Sequence, residues 1–141
     1  MLNQNIYFTT DVLVFSGTKE NLEILLIERK YPPYQGCWAI PGGFLEDDEE
    51  IEDGARRELE EETCVIVTDI HLIGNYGKVG RDSRFRTITA AYYSYFENKP
   101  DAKAADDAKN VNWFSINKLP EIAFDHDEII QDAIRLISDN I

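Results

Sequence analysis

The sequence predicts an α/β fold of the α+β kind, in which a mixed β-sheet lies between helices. β-rich segments occur on both sides of a central glutamate-rich helix, and an amphipathic helix ends the chain. Domains bury sheet faces and helix stripes against each other in layers, so this order of elements predicts an α/β/α sandwich. We expect the 141 residues, 1–141, to form a single domain with a sizeable core.

The first part of the chain is predicted to form two long strands and a short one. Val, Ile, Leu, Phe and Thr dominate residues 6–15 and 22–30, and a turn containing Gly17 joins these two segments. A short strand at Trp38 runs into a Pro-Gly-Gly sequence at residues 41–43, which we expect to form a tight turn.

The second part of the chain alternates β-rich segments with polar ones before the last helix. The β-rich segments are residues 65–67, 70–76, 87–96 and 111–114. Residues 98–110 are polar and are predicted to form a loop. Residues 125–140 are predicted to form the amphipathic helix, with Asp125 and Glu128 making a capping box at its start.

Composition argues against several classes of protein. The chain has 27 acidic and 14 basic residues and a pI of about 4.4, which argues against nucleic-acid binding through a basic face. We expect no signal peptide and no membrane span, since the N-terminus lacks a basic segment followed by an apolar one and Asp11 interrupts the apolar stretch. Cys37 and Cys64 lack metal-type spacing, so we expect reduced thiols and a cytoplasmic protein.

The most informative segment is the glutamate-rich helix. Glu58, Glu61 and Glu62 are spaced by three and four residues, which places them on one side of a helix. Like charges at this spacing destabilise a helix by about 0.2–0.5 kcal/mol per pair. A divalent cation that prefers carboxylate oxygen would offset this repulsion. Residues 46–62 carry a net charge of −9 out of −13, so the acidity is local and indicates a site.

The apolar stripe of this helix shows how the glutamates would face a cleft. At about 100° per residue, Ile51, Ala55 and Leu59 form the stripe, and the three glutamates border its edge. A solvated helix would instead carry its charges opposite the apolar face. Arg57 lies beside the glutamates, and we expect it to be their structural partner, with Glu49 on the far face.

The segment from residue 43 to residue 65 resembles the signature of the Nudix family, G-x5-E-x7-R-E-U-x-E-E-x-G-U, where U is aliphatic. The matching residues are Gly43, Glu49, Arg57, Glu58, Leu59, Glu61, Glu62 and Val65. Cys64 departs from the signature, which has glycine there. A left-handed residue often follows a helix, and a non-glycine residue in that conformation costs roughly 1–2 kcal/mol.

The resemblance implies a metal-dependent hydrolase of nucleoside diphosphate derivatives with the Nudix fold. Mg²⁺ or Mn²⁺ would be held by Glu58, Glu61 and Glu62, together with the carbonyl of Gly42. Gly42 and Gly43 let the backbone come close to a metal or a phosphate, so Gly43 is also a candidate for substrate binding.

Several acids are candidates for the general base that takes a proton from the attacking water. The candidates within the signature are Glu61 and Glu62, and those outside it are Glu97, Asp106 and Asp107. Each of the three outside acids could equally be a solvated loop residue, and the sequence leaves the base open.

The substrate is predicted from the segments outside the signature. Arg81 and Arg84 lie in the predicted loop before residues 87–96, and guanidinium groups suit phosphate oxygens. The motif GRDSRFRTITAAY and residues 123–126, Ala-Phe-Asp-His, resemble a Nudix branch of ADP-ribose pyrophosphatases and NAD-metabolism repressors. This branch implies hydrolysis of ADP-ribose to AMP and ribose 5-phosphate. A further set of residues could stack on adenine or belong to the core: Tyr7, Phe8, Tyr31 and Tyr34.

Alternative functions remain open at this point. Other Nudix substrates include NADH, sugar nucleotides and oxidised nucleoside triphosphates. A second class is a non-catalytic ADP-ribose sensor, as in the repressors of the same branch. Those repressors carry a DNA-binding domain after the Nudix domain, for which we expect no room before Ile141, and every carboxylate of the signature is in place, so the enzyme is favoured. The resemblance also implies a homodimer.

Overall fold

A computed structural model describes residues 2–139 of the chain. This part of the chain contains seven strands and two helices. In chain order they are β1 (Ile6–Gly17), β2 (Leu22–Arg29), β3 (Trp38–Ala39), β4 (Gly42–Phe44), α1 (Ile51–Thr63), β5 (His71–Tyr76), β6 (Arg86–Phe96), β7 (Ala108–Ser115) and α2 (His126–Ser138).

Strand β1 is the centre of a mixed sheet. It pairs in parallel with β6 along eleven residues, from Ile6 opposite Arg86 to Ser16 opposite Phe96, and antiparallel with β2. The order across the sheet is β3-β2-β1-β6-β5, with β4 also paired to β1 and β7 to β2. The predicted mixed sheet is therefore confirmed.

The two faces of β1 bury side chains in two separate cores. Val12 and Val14 point to one face, where they pack with Ala55 and Leu59 of α1. Leu13 and Phe15 alternate with them and pack on the other face against a cluster from α2 that comprises Ile129, Ile130, Ala133 and Ile137. Alternate residues of a strand point to opposite faces, so one strand serves both layers. This confirms the predicted α/β/α sandwich.

Three local predictions differ from the structure. Residues 65–67 form no strand, although Val65 and Val67 are buried, because they pack on the core beside α1 without a strand partner. The predicted turn at residues 41–43 is largely strand, since Gly42 and Gly43 pair with Asp11 and Thr10 of β1. The predicted loop at 98–110 ends early, because β7 begins at Ala108 and pairs with β2.

Helix α1 ends in a left-handed residue that is not glycine. Cys64 has φ of 63° and ψ of 12°, and its N–H donates to the carbonyl of Glu60 at 2.8 Å. The side chain of Cys64 is exposed. The turn that glycine makes in the family signature is therefore retained here with a Cβ atom present.

Helix α2 begins without the predicted capping box. Asp125 is the residue before the helix, but its carboxylate makes no cap hydrogen bond and is bound by Arg81 instead. The competing ion pair therefore removes the acceptor that a capping box needs. The helix ends at Ser138, and Asn140, the predicted end, lies outside the described residues. Neither α1 nor α2 is long and apolar enough to cross a membrane.

We expect the substitution Cys64→Gly to raise the free energy of unfolding by about 0.5–1 kcal/mol. Glycine removes a left-handed strain of roughly 1–2 kcal/mol, and the greater freedom of glycine in the unfolded chain offsets part of that gain. Urea unfolding followed by circular dichroism measures the change. Cys64→Ala is the matched control, because it removes the thiol but keeps the Cβ atom. Equal stabilities of the Gly and Ala variants would contradict this account of the turn.

Candidate active site

A cavity of about 330 Å³ lies where β1, β4 and α1 meet the start of α2. The sequence-predicted residues that line it are Gly42, Gly43, Glu58, Glu62, Arg81, Arg84, Asp106, Asp107, Tyr31 and His126. The fold thus brings together residues from the glutamate helix, the loop before β6, the loop before β7 and the start of α2. Glu61 and Glu97 do not line the cavity.

Arg57 holds the glutamate helix and the loop before it together. Its Nε and Nη2 atoms donate to the two carboxylate oxygens of Glu49 at 3.0 and 2.7 Å. Its Nη1 atom donates to Glu58 at 2.9 Å and to Glu61 at 3.1 Å. Its Nη2 atom also donates to the carbonyl of Phe44 at 3.1 Å, which ties α1 to β4. The predicted role of Arg57 as a partner of these acids is confirmed.

Glu49 differs from its predicted place. It precedes the helix, and its Oε1 atom accepts the N–H of Glu46 at 2.9 Å. The paired hydrogen bonds from Arg57 are the main reason that the pKa of Glu49 falls to about 2. Gly54 leaves room for this carboxylate, since a Cβ atom there would lie 2.8 Å from Glu49 Oε1. Glu49 is therefore a fixed anion that anchors the loop to Arg57.

Two glycines form the wall of the cavity against the glutamates. A Cβ atom on Gly43 would lie 2.3 Å from Glu58 Oε2, and one on Gly42 would lie 2.1 Å from the carbonyl of Thr10. The backbone contact at Gly42 is not tolerated, so that position requires glycine, whereas a Cβ atom on Gly43 would displace the carboxylate of Glu58. The N–H of Gly42 donates to Glu62 Oε1 at 2.8 Å, which fixes this carboxylate against the β4 backbone.

The carboxylate of Glu62 is buried with no basic partner. No salt bridge to Glu62 is present within the described residues, although its side chain is almost fully buried. Burial above all, together with the nearby charges of Glu58, Asp11 and Asp107, raises the pKa of Glu62 to about 8, although the hydrogen bond from Gly42 opposes the rise. Burial likewise raises the pKa of Glu58. Glu58 has Arg57 as a partner, so Glu62 is the carboxylate that lacks a countercharge, which a cation would supply.

These oxygen donors fit a hard divalent cation. Glu58 and Glu62 both reach the cavity, and carboxylate oxygens are the ligands that Mg²⁺ and Mn²⁺ prefer. Among residues 2–139, no three His, Cys, Asp or Glu side chains are already grouped closely enough to hold an ion. Arg57 binds the carboxylates of both Glu58 and Glu61 in this conformation.

The predicted general-base residues fall into two groups. Asp106 and Asp107 line the cavity from the loop before β7, and both side chains are exposed. Glu97 follows the end of β6, is exposed and does not line the cavity. Glu61 is exposed and bound to Arg57. The structure therefore brings Glu62, Asp106 and Asp107 together, and it does not bring Glu61 and Glu97 to them.

The two predicted phosphate-binding arginines both carry carboxylate partners. Arg81 donates to both oxygens of Asp125, at 2.9 and 2.8 Å, and to the hydroxyl of Thr87 at 3.2 Å. Arg84 donates to Asp82 at 2.8 Å. Arg84 is the more available of the two, since its side chain is 39% exposed and that of Arg81 is 7% exposed.

Sequence analysis missed Arg29, a third arginine of the cavity. Its Nε atom donates to the carbonyl of Pro33 at 2.7 Å, and its guanidinium lies 4.8 Å from the centre of the Phe124 ring. Among the described ion pairs none involves Arg29, and burial, followed by the charge of Arg84, lowers the pKa of Arg29. The position of Arg29 at the end of an apolar strand was the only feature of the sequence that could have indicated a role in the cavity. Many solvated arginines have the same position.

Asp11 and His126 are buried ionisable residues of the same cavity. In the sequence, Asp11 only interrupts an apolar stretch, and His126, near a helix start, could contact the substrate or be structural. Asp11 accepts a hydrogen bond from the hydroxyl of Thr89 at 2.7 Å, and His126 Nδ1 accepts the N–H of Ile40 at 3.0 Å. Burial raises the pKa of Asp11 and lowers the pKa of His126.

The aromatic residues considered for base stacking are scattered. Tyr31 lines the cavity and is exposed, and Tyr34 packs on Phe124 with ring centres 4.9 Å apart. Tyr7 packs on Phe85 with ring centres 4.7 Å apart, outside the lining of the cavity. Phe8 packs on the core beside α1.

Comparisons with known proteins agree on the fold and on the family. The NUDIX domain family matches residues 8–133. An ADP-ribose pyrophosphatase of Methanocaldococcus jannaschii is 39% identical over 130 residues, which is 92% of this chain and 76% of that protein.

Two solved structures are similar over nearly the whole chain. The NUDIX domain of Shewanella oneidensis NrtR complexed with ADP ribose has a TM-score of 0.88 and 26% identity, over 96% of this chain and 90% of that one. A bifunctional NMN adenylyltransferase/ADP ribose pyrophosphatase of Francisella tularensis, complexed with AMP and an Mn ion, has a TM-score of 0.82 and 32% identity. The match covers 95% of this chain and 42% of that larger one. The family match covers most of this chain, and the signature is in place on α1. This chain therefore belongs to the Nudix family.

Proposed function

We propose that this chain is a divalent-metal-dependent pyrophosphohydrolase that cleaves ADP-ribose to AMP and ribose 5-phosphate. The observation that carries the proposal is one cavity in which the buried carboxylate of Glu62 and the partly buried carboxylate of Glu58 share a space with Arg29, which forms no ion pair among the described residues. The similarity to a named ADP-ribose pyrophosphatase and to an ADP-ribose complex supports this choice of substrate.

The positive side of the cavity would bind the diphosphate. Arg29 and Arg84 both flank the ring of Phe124, with guanidinium carbons 4.8 and 5.8 Å from the ring centre. This arrangement places two donors for phosphate oxygens side by side. The ring limits where they can move, so the pair is partly organised before the substrate binds.

The acidic side of the cavity would hold the metal. Glu58, Glu62 and the Gly42 carbonyl would be ligands, and Glu61 would join them after leaving Arg57. A bound Mg²⁺ or Mn²⁺ neutralises negative charge on a diphosphate and lowers the pKa of a bound water. Glycine at positions 42 and 43 keeps the backbone close to that site.

Hydrolysis requires a base that takes one proton from water. The water oxygen bonds to one phosphorus, the bond from that phosphorus to the bridging oxygen breaks, and the other phosphate leaves with the bridging oxygen. We assign the proton to Asp107, which lines the cavity and whose charge is close enough to raise the pKa of Glu62. Asp106 and Glu62 are the next candidates, and Glu61 and Glu97 stay predictions from the sequence.

A non-catalytic ADP-ribose sensor is the second candidate, because the NrtR domain in complex with ADP ribose is similar to this chain over nearly its whole length. Such a sensor would bind ADP-ribose without producing AMP. The free thiols of Cys37 and Cys64 favour the cytoplasm for either function. A homodimer stays a prediction from the sequence.

We expect Glu62→Gln to lower the rate of AMP formation from ADP-ribose by roughly 100-fold or more, because it removes a metal ligand from the cavity. Chromatography of products formed with Mg²⁺ or Mn²⁺ gives the rate. Glu60→Gln is the matched control, since Glu60 is an exposed acid on the same helix outside the cavity. Wild-type protein that binds ADP-ribose and forms no AMP would establish the sensor instead.

The ionisation of Glu62 should also control stability. Burial raises the pKa of Glu62 from 4.5 to about 8, so its protonated form stabilises the fold below pH 4.5 and this contribution is lost as the pH rises towards 8. In EDTA, we expect wild-type protein to lose unfolding free energy relative to Glu62→Gln across this range. Urea titrations at several pH values measure the difference. Mg²⁺ or Mn²⁺ should abolish the loss, since a cation supplies the missing countercharge. A difference that is independent of pH in EDTA would refute the burial of an unpaired carboxylate.

We expect Arg29→Gln to raise KM for ADP-ribose by about 10- to 100-fold, since a hydrogen bond to a charged group is worth roughly 1.5–3 kcal/mol. Steady-state kinetics with ADP-ribose separate KM from kcat. Arg135→Gln serves as the control, because Arg135 lies on the exposed side of α2. An unchanged KM would remove Arg29 from the phosphate-binding group.

A further inference from the structure

Two buried polar side chains in the cavity have no role in the hydrolysis described above. Asp11 on β1 and His126 at the start of α2 are each 6% exposed, and both line the cavity. Burying ionisable groups is unfavourable unless they gain hydrogen bonds. Among the described residues, each of these side chains has one hydrogen bond, and each keeps one polar atom free for another.

His126 presents a hydrogen-bond donor to the cavity. Its Nδ1 atom accepts the N–H of Ile40 at 3.0 Å, so Nδ1 carries no proton and the neutral ring is protonated on Nε2. Burial lowers the pKa of His126, which keeps the ring neutral. Within residues 2–139, no protein acceptor binds Nε2. Among the described residues, Thr10 Oγ1 is the fully buried side-chain polar atom that has no hydrogen-bond partner. His126 Nε2 has no protein partner either but is not fully buried, so it reaches the space of the cavity.

Asp11 presents an acceptor beside that donor. Its Oδ2 atom accepts the hydroxyl of Thr89 at 2.7 Å, and no described donor binds Oδ1. Oδ1 lies against β4, 2.3 Å from where a Cβ atom on Gly42 would be. Apart from His126, the basic side chain with an electrostatic effect on Asp11 is Arg81, and Asp125 already binds Arg81 through two hydrogen bonds. Asp11 therefore keeps a free oxygen at the cavity wall.

This pair does not suit a phosphate. A phosphate offers only acceptors, so it could use the donor of His126 but would leave the acceptor of Asp11 without a partner. The group that suits an acceptor next to a donor is one that both donates and accepts without carrying charge. Sugar hydroxyls have this chemistry, and so does the edge of adenine, where an amino group lies beside a ring nitrogen.

We propose that Asp11 and His126 bind a neutral donor–acceptor edge of the nucleotide, with Asp11 Oδ1 accepting from it and His126 Nε2 donating to it. The inference rests on the proposed function, in that the ligand is a nucleotide whose diphosphate lies on the arginine side. It makes Asp11 and His126 determinants of specificity: a ligand with a phosphate in this position, such as a nucleoside triphosphate, is disfavoured. The edge comes either from the terminal ribose of ADP-ribose or from its adenosine half.

Two substitutions test the pair while keeping the internal hydrogen bonds. Asp11→Asn keeps an oxygen for the Thr89 hydroxyl but replaces the free acceptor with an amide donor. His126→Asn places an oxygen near the position of Nδ1 for the Ile40 N–H and removes the Nε2 donor. The controls are Asp69→Asn and His71→Asn, the same changes at exposed positions. Circular dichroism and thermal melting establish that every variant is folded before binding is compared.

Isothermal titration calorimetry in EDTA, where no divalent cation supports cleavage, measures Kd for ADP-ribose, ADP and AMP. We expect each cavity variant to weaken ADP-ribose binding by at least about 10-fold, the loss of one buried hydrogen bond to a charged or neutral partner. Neither control should change Kd by more than about 2-fold. If the cavity variants bind AMP and ADP more weakly by the same factor as ADP-ribose, the edge belongs to adenosine. If the variants keep the wild-type Kd for AMP and ADP, the edge belongs to the terminal ribose.

The result that overturns the proposal is a Kd for ADP-ribose within 2-fold of wild type in both folded cavity variants. Failure of the proposed function has a different signature. In that case wild-type protein neither binds nor cleaves ADP-ribose and instead acts on another nucleotide. The same variants are then titrated with that nucleotide, and an unchanged Kd again overturns the role of Asp11 and His126, while a 10-fold loss supports it.

Discussion

The hydrogen bonds of Arg57 are the interaction on which the rest of the site depends. One guanidinium binds Glu49 before the helix, Glu58 and Glu61 on the helix, and the carbonyl of Phe44 on β4. A helix with so many acids repels itself, and the planar guanidinium has enough donors to satisfy several carboxylates at once. Lysine would provide a single point of charge and could not bridge these elements in the same way.

That arrangement leaves the deeper carboxylates short of positive charge. Arg57 reaches Glu58 and does not reach Glu62, whose hydrogen bond comes from the neutral N–H of Gly42. Burial then works against the ionised form of Glu62, and a cation would supply the countercharge that it lacks. Arg57 also binds Glu61, whose side chain is exposed and does not line the cavity.

The cavity contains both arginines and carboxylates. Arg29 and Arg84 lie against the ring of Phe124, whereas Glu58, Glu62 and Asp11 lie near the glycines of β4. Phosphate oxygens would use these guanidinium donors together with a cation held by Glu58 and Glu62, and a neutral hydroxyl would use the carboxylate of Asp11. Cys64 shows that the family turn after α1 tolerates a side chain, at the cost of a left-handed backbone.

The sequence by itself determined the elements whose signal is local. The spacing of Glu58, Glu61 and Glu62 placed the helix and its acidic side, and alternating apolar residues placed the central strands. Such patterns depend on the period of a helix or a strand, which is a property of neighbouring residues. The capping box at Asp125 was wrong for the complementary reason, because Arg81, 44 residues earlier in the chain, binds the carboxylate that would have capped the helix.

Only the tertiary structure decided which scattered polar residues share the cavity. His126 meets the backbone of Ile40 across 86 residues, and Asp11 meets Thr89 across 78. Among the described residues, Arg29 forms no ion pair. Whether a charged side chain finds a partner depends on the neighbouring elements, so the place of Arg29 in the strand gave no sign of this. Local patterns fix the conformation of a segment, whereas a site is built from contacts between segments, and those follow from how the sheet pairs and how the helices pack on it.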